Sequence, residues 1–322
     1  MWYMENNKEK ILNNLKNVML DNTGDDTLLG DDLDKDEEIV DQKHLKKKLS
    51  KPKRIILLVA AILLVVVICC DMRLKTVRYT FDSPKVENSF KIALITDLHG
   101  NRYGKNQSTL IDAIDKENPD LVLLGGDIFD DKISYEKSEE TIAILSEKYK
   151  CYYVTGNHEY WSRDVDNIIN IVKSYGITVL EGGVDTIDIN GQMINICGVD
   201  DPDNYVYLDG GQKIEDQLKQ VEKKVNKDYY TILLSHRPEY YQEYSKYGYD
   251  LVLCGHAHGG QWRIPGILNG LYAPDQGLFP EYAGGLYEYE SGAMVVSRGL
   301  DRQGVKVPRI FNRPELVIIE VE

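Results

Sequence analysis

The chain predicts an α/β domain preceded by one membrane-spanning helix, and three observations carry that reading. From residue 90 onward short apolar stretches alternate with helical ones, the pattern of strands and helices packed into one domain. Several of the apolar stretches stop abruptly in Asp, Gly or His. Upstream lies IILLVAAILLVVVICC, residues 55–70, with no charged or strongly polar residue.

Residues 1–54 read as a cytoplasmic tail. Ile11, Leu12, Leu15, Val18 and Met19 share one face of a short amphipathic helix. Residues 21–41 hold ten acids and one lysine, a composition that favours disorder. Residues 42–54 hold seven bases and no acid. The next segment, 55–72, reads as an anchor. Sixteen helical residues span ~24 Å against a hydrocarbon core of ~30 Å, and snorkelling of Lys53, Arg54 and Arg73 makes up the difference. A buried core helix is the bland alternative, but the run is apolar on every face. A cleaved signal peptide fits poorly, because a long tail precedes the run and no A-x-A site follows it. The bases before the run leave the N-terminus in the cytoplasm and the C-terminal domain outside, as a single-pass protein of the cell membrane. Residues 73–89 read as a linker, and 90–322 as the catalytic domain.

Within that domain FKIALIT, DLVLLGG, CYYVTG, YTILLS and YDLVLCG are expected as buried strands, with helices over 105–117, 134–148 and 164–175. INGQMINI carries a hairpin signal at Asn190–Gly191, and GAMVVS and LVIIEV close the chain. The five cysteines lack framework spacing and any CxxC pair, which excludes a disulfide scaffold and leaves buried, inert thiols. Beyond residue 70 there are 27 Lys and Arg against 40 Asp and Glu. That balance argues against nucleic acid as a partner, since polyphosphate rewards a basic stripe.

The chemistry lies at the strand ends. FKIALIT runs into Asp97-Leu98-His99, DLVLL into Gly125-Gly126-Asp127, CYYVT into Gly156-Asn157-His158-Glu159, YTILLS into His236, and DLVLC into Gly255-His256-Ala257-His258. Five of the six histidines fall in these clusters, His44 being the exception. Each cluster alone is weak evidence. Together, Asp, His and Asn donors without thiolates suit Mn, Fe or Zn in a catalytic rather than a structural site. Ligands in α/β sheets gather beyond the carboxyl ends of strands, and a His-x-His pair can serve two neighbouring ions.

The ordered set D-x-H, G-D-x-x-D, G-N-H-E, a lone His and G-H-x-H resembles the calcineurin-like metallophosphoesterase superfamily. GNHEYW, LSHRPEYY, GHAHGGQWRIP and GLFPEYAGGLYEY look like its bacterial branch of membrane-associated phosphodiesterases. The resemblance implies a β-sandwich flanked by helices in four layers, α-β-β-α. It implies two divalent ions (Mn, Fe or Zn), the first held by Asp97, His99 and His258, the second by Asn157, His236 and His256, with Asp127 bridging. It further implies a metal-bridging hydroxide as nucleophile, His158 as the acid, and Asp130 orienting His158. The family's protein phosphatases carry an arginine after that acid, where this chain has Asp131, which weakens a protein-phosphatase reading. The substrate implied is a phosphoester, lipid-linked or in the envelope.

Glu159, Tyr160 and Trp161, beside His158, are expected to line the rim. Backbone amides of Gly259, Gly260 and Gln261 are expected to meet a phosphate oxygen. The aromatic stretch 265–290 is expected as a long loop shaping a site for a membrane-presented substrate. A nuclease of the same superfamily and a scaffold that has lost catalysis are the alternatives. The acidic balance speaks against the first, and the complete ligand set against the second.

Overall fold

The computed structural model of the protein describes residues 50–302 and 308–322. The amphipathic helix and the acidic segment expected in the tail lie outside the described residues. In chain order, α1 (Lys51–Cys69) is followed by β1 (Lys75–Phe81), β2 (Phe90–Ile95), α2 (Ser108–Glu117), β3 (Leu121–Gly125), α3 (Glu136–Lys148), β4 (Lys150–Val154), the short α4 (Asn157–Trp161), α5 (Val165–Ser174) and β5 (Thr178–Val179). The second half runs β6 (Val184–Ile189), β7 (Gln192–Gly198), α6 (Asp203–Tyr207), α7 (Ile214–Lys224), β8 (Tyr230–Leu234), α8 (Tyr241–Tyr244), β9 (Leu251–Cys254), β10 (Tyr272–Ala273), β11 (Gly277–Leu278), β12 (Gly285–Tyr289), β13 (Gly292–Val296) and β14 (Glu315–Val321).

α1 is apolar on all faces, and none of its residues is buried. It takes in Lys51–Arg54 as well as the apolar run, so its 19 residues span ~28 Å. The segment read as a linker is instead structured: β1 pairs in parallel with β14, from Lys75 opposite Glu315 to Phe81 opposite Val321. KTVRYTF puts Tyr79 and Phe81 two residues apart on one face, and both pack against the core. The folded domain therefore begins near residue 75.

Two six-stranded sheets stack face to face, in the orders β1-β14-β2-β3-β4-β5 and β12-β13-β9-β8-β7-β6. Strand alternation explains why both faces of each are apolar. Ile92 and Leu94, Leu121 and Leu123, and Ile232 and Leu234 point into the layer between the sheets. Ala93, Val122 and Leu124 point the other way, against Leu110 and Ile114 of α2, Leu145 of α3 and Ile168 of α5. The second sheet's outer face, with Leu233 and Val252, is covered by Leu218 and Val221 of α7 and by Tyr244 of α8. Each such fully buried side chain contributes about 2 kcal/mol relative to exposure. α2, α3 and α5 fall where helices are expected. α7 was not anticipated, although Ile214, Leu218 and Val221 stand at i, i+4 and i+7 among its charges. Asn190 and Gly191 have φ of 55° and 84°, the two positive values that a type I′ hairpin needs. The stretch 265–290 is no bare loop. It holds the β10–β11 hairpin, and β12 is the edge strand of the second sheet. Cys151, Cys197 and Cys254 are buried and free, and burial pushes the Cys151 and Cys197 thiols up to about 12.

Asp200, just after β7, is buried, with Thr155 Oγ1 (3.0 Å) and Asn204 Nδ2 (3.2 Å) donating to its carboxylate. Burial pushes its carboxyl from 3.8 up to about 6. The folded state then holds this proton more tightly than the unfolded chain, so stability falls as pH rises from about 4 to about 6 and the loss is complete above that. Asp200→Asn should raise the Tm at pH 8, by an amount worth roughly 1–2 kcal/mol, and leave it nearly unchanged at pH 4. Thermal melts at the two pH values test this. An equal shift at both would rule out ionisation as the cause.

Candidate metal centre

Five strand ends build the site. Asp97 and His99 follow β2, Asp127 follows β3, Asn157 and His158 open α4 after β4, His236 follows β8, and His256 and His258 follow β9. Asp97, His99, Asp127, His256 and His258 have φ of 51°, 45°, 53°, 66° and 46°. Non-glycine residues avoid this left-handed region, at a cost of about 1 kcal/mol or more each. The strain lets a side chain at the end of a strand turn back across the sheet edge. Two glycines make room for it: a Cβ on Gly156 would lie 2.3 Å from Asp127 Oδ1, and one on Gly255 2.6 Å from Asp97 Oδ2.

The side chains form two groups with one member in common. Donor atoms of Asp97, His99, Asp127 and His258 lie within 4.8 Å of one another, as do those of Asp127, His236 and His256. Asp97 Oδ1 accepts the His256 amide at 3.0 Å, and Asp127 Oδ1 accepts the His158 amide at 2.9 Å. Their second oxygens, Asp97 Oδ2 and Asp127 Oδ2, are buried without a hydrogen-bond partner, as are His99 Nε2, His236 Nε2 and Asn157 Oδ1. His236 Nε2 is 3.2 Å from Asp127 Oδ2, and His99 Nε2 3.6 Å. Buried polar atoms are normally satisfied, and bare oxygen and nitrogen donors turned toward one another are a donor set for cations. The residues therefore fit two divalent ions, with Asp127 placed to serve both.

Neighbouring bonds fix the imidazoles. His236 Nδ1 donates to the Gly125 carbonyl at 2.8 Å, and His99 Nδ1 donates to Asp130 Oδ2 at 3.0 Å, which turns both Nε2 atoms toward Asp127. Burial by itself would lower both imidazoles. The opposing carboxylates prevail: Asp130 and Asp127 raise His99 to about 9, and Asp127 raises His236 to about 10. His258 is lowered to about 3 by burial, with His99 and Arg309 adding to the effect. The negative field that holds protons on two imidazoles is the field a pair of cations would neutralise.

Other expected roles change. Asp130 is bonded to His99, and its Oδ2 lies 3.5 Å from His158 Nδ1. The closer partner of His158 is Asp131, whose Oδ1 accepts from Nδ1 at 2.7 Å. Glu159 is wholly buried and lines no rim. Its carboxylate accepts the amides of Asp127, Ile128, Phe129 and Gly156 at 2.7–3.0 Å and the Tyr153 hydroxyl at 2.8 Å, bracing the Asp127 loop. Tyr160 is buried too, its hydroxyl 3.1 Å from Thr155 Oγ1 in a hydrogen bond. Trp161 is 40% exposed, its ring 4.7 Å from that of His158.

Nor are two of the three amides after His258 waiting for phosphate. Gly260 N and Gln261 N donate to the Ala257 and His258 carbonyls. Gly259 and Gly260 are instead close-packed against Asn312 and Gly270. The Gln261 side chain, buried with both polar atoms unpartnered, remains a candidate contact.

Arg237 was missed altogether. It is buried, donating from Nε and Nη2 to Asp201 at 2.6 and 2.9 Å and from Nη1 to Asp275, with Nη1 3.2 Å from His256 Nε2. Its place in LSHRPEYY, directly after His236, was the available signal.

Comparison with known proteins places the chain in a family. The family description "calcineurin-like phosphoesterase" matches residues 90–260. An uncharacterized metallophosphoesterase of Aquifex aeolicus is 29% identical over 256 residues, 77% of this chain and 92% of its own length. The phosphodiesterase YaeI of Escherichia coli is 28% identical over 239 residues, covering 72% of this chain and 82% of the relative. A transmembrane protein with metallophosphoesterase domain from Danio rerio is 28% identical over 248 residues, 73% of this chain and 54% of that protein. The chain belongs to the calcineurin-like phosphoesterase family and is a metal-dependent phosphoric ester hydrolase.

Proposed function

We propose that the protein is a membrane-anchored phosphodiesterase that hydrolyses a lipid-linked or envelope phosphoester outside the cell. The observation that carries the reading is the set of bare, buried donors on both sides of Asp127. In this reading Asp97, His99, Asp127 and His258 hold one ion, and Asp127, Asn157, His236 and His256 the other. Two divalent ions, when bound, supply charge neutralisation for the phosphoryl oxygens and a water acidic enough to attack at neutral pH. His158, held at Nδ1 by Asp131, keeps Nε2 free to give a proton to the leaving oxygen. Trp161 stands beside it, where the leaving group departs. α1, apolar from Ile55 onward and without a buried residue, serves as the anchor, and one relative is itself named a transmembrane protein.

The test is the full chain in micelles, stripped with a chelator and assayed on a chromogenic phosphodiester with Mn²⁺, Fe²⁺ or Zn²⁺ added back. Activity should return and saturate at two ions per chain. Turnover unaffected by chelation, or none with any of the three ions, would overturn the reading.

A further inference from the structure

Outside α1, the large apolar side chains most exposed to solvent among the described residues are Ile267 (80%), Val206 (70%), Leu278 and Phe279 (both 67%). Three of these four stand in one stretch, together with exposed Trp262 and Ile264. Backbone bonds tie that stretch into a single face: Ile264 and Leu268 bond each other, Leu271 N donates to Gly260 O, and Phe279 N donates to Leu271 O. This face is fastened to the end of α1. Phe311 N donates to the carbonyl of Cys69, the last residue of the helix, at 2.7 Å. Arg313 donates to the Arg73 and Leu74 carbonyls, both at 2.9 Å. The preceding residue, Ile310, exchanges backbone bonds with Gln261 and Arg263, and Trp262 Nε1 donates to Pro308 O. Asn312 Nδ2 donates to the carbonyl of His258, one of the candidate metal ligands. One short segment, 308–313, thus touches the helix end, the apolar face and the metal centre.

We propose, resting on the anchor reading above, that this face lies in the interfacial layer of the bilayer leaflet from which α1 emerges. The metal centre then opens at headgroup level, onto the phosphoester of a lipid that stays in the membrane. Residues bonded to the end of a spanning helix sit at the depth where that helix leaves hydrocarbon. At that depth exposed Ile, Leu and Phe enter the acyl boundary, and a Trp with its N–H bonded suits the interface.

The full chain, reconstituted in phosphatidylethanolamine–phosphatidylglycerol vesicles, provides the test. In a Cys69→Ser, Cys70→Ser background, nitroxides are placed singly through Ile267→Cys and Phe279→Cys, with Val206→Cys as the control. Labels at 267 and 279 should meet oxygen more and a water-soluble nickel chelate less than the label at 206. If all three are equally open to nickel while the chain floats with the vesicles, the proposal falls and the anchor stands. A chain that does not float removes the anchor reading, and this proposal with it. Labels shielded from both probes would mean that protein covers the face, which also overturns the proposal. As a second arm, Ile267→Ser combined with Phe279→Ser should lose about tenfold or more on a phospholipid phosphodiester in vesicles and keep its rate on the soluble chromogenic substrate. Equal rates on the vesicle substrate would count against it.

Discussion

Asp127→Asn is expected to empty both metal positions and to lower turnover by about 10³-fold or more, a barrier increase of ~4 kcal/mol or more. The carboxylate serves two groups of donors at once, and an amide keeps its shape but not its charge. The loss would extend beyond the ions. Asp127 Oδ1 accepts the His158 amide, and the loop carrying Asp127 is held by three of its amides on Glu159. The variant should still fold, because removing a buried anion from that loop takes away none of its backbone bonds. Metal content per chain, measured alongside kcat, decides the matter. Two ions retained by Asp127→Asn would dismiss Asp127 as the bridge.

The second large effect is expected at His158. His158→Ala should keep both ions and lose roughly 10²–10⁴-fold in kcat, the usual worth of a general acid. The structure allows a competing role, because His158 also groups with His99 and Asp130 within 4.8 Å. Metal content separates the two: ions lost along with the rate would make His158 a ligand. The neighbouring acids extend the test. Asp131→Asn should lower kcat by about tenfold with the ions in place, because Asp131 holds the His158 ring. Asp130→Asn should weaken metal binding by roughly 10–100-fold, because Asp130 orients His99. A reversal of those two phenotypes would restore the pairing of Asp130 with His158 that the family resemblance implied.

That exchange of partners shows where sequence reasoning stopped. Asp130 and Asp131 are adjacent, chemically identical and equally close in sequence to the rest of the motif. Only the turn after β3 decides which of them faces His99 and which faces His158. Glu159, Tyr160 and Trp161 give the same lesson on α4. All three follow His158, yet a five-residue helix points successive side chains in different directions, burying Glu159 and Tyr160 and leaving Trp161 at the surface. Proximity in sequence located the rim but could not say which side chains form it. The linker was misread for another reason. β1 is a short edge strand whose partner, β14, lies at the opposite end of the chain, so no local pattern announces the pairing.

The amino-acid sequence determined whatever depends on local pattern. The buried strands follow from short, nearly unbroken apolar runs, α1 from a longer one, and the donors from the Asp, His and Asn residues that end the strands. Tertiary structure decided what depends on approach between distant segments. It brought five strand ends together, left donor atoms of Asp97, His99, Asp127, Asn157 and His236 bare, and set Asp130 beside His99 and Asp131 beside His158. The segment 308–313 was set between the helix end and His258 in the same way. The physical reason is that local sequence governs backbone conformation and which faces are apolar, whereas ion pairs and donor clusters form over a few ångströms of space between residues as far apart as Asp97 and His258.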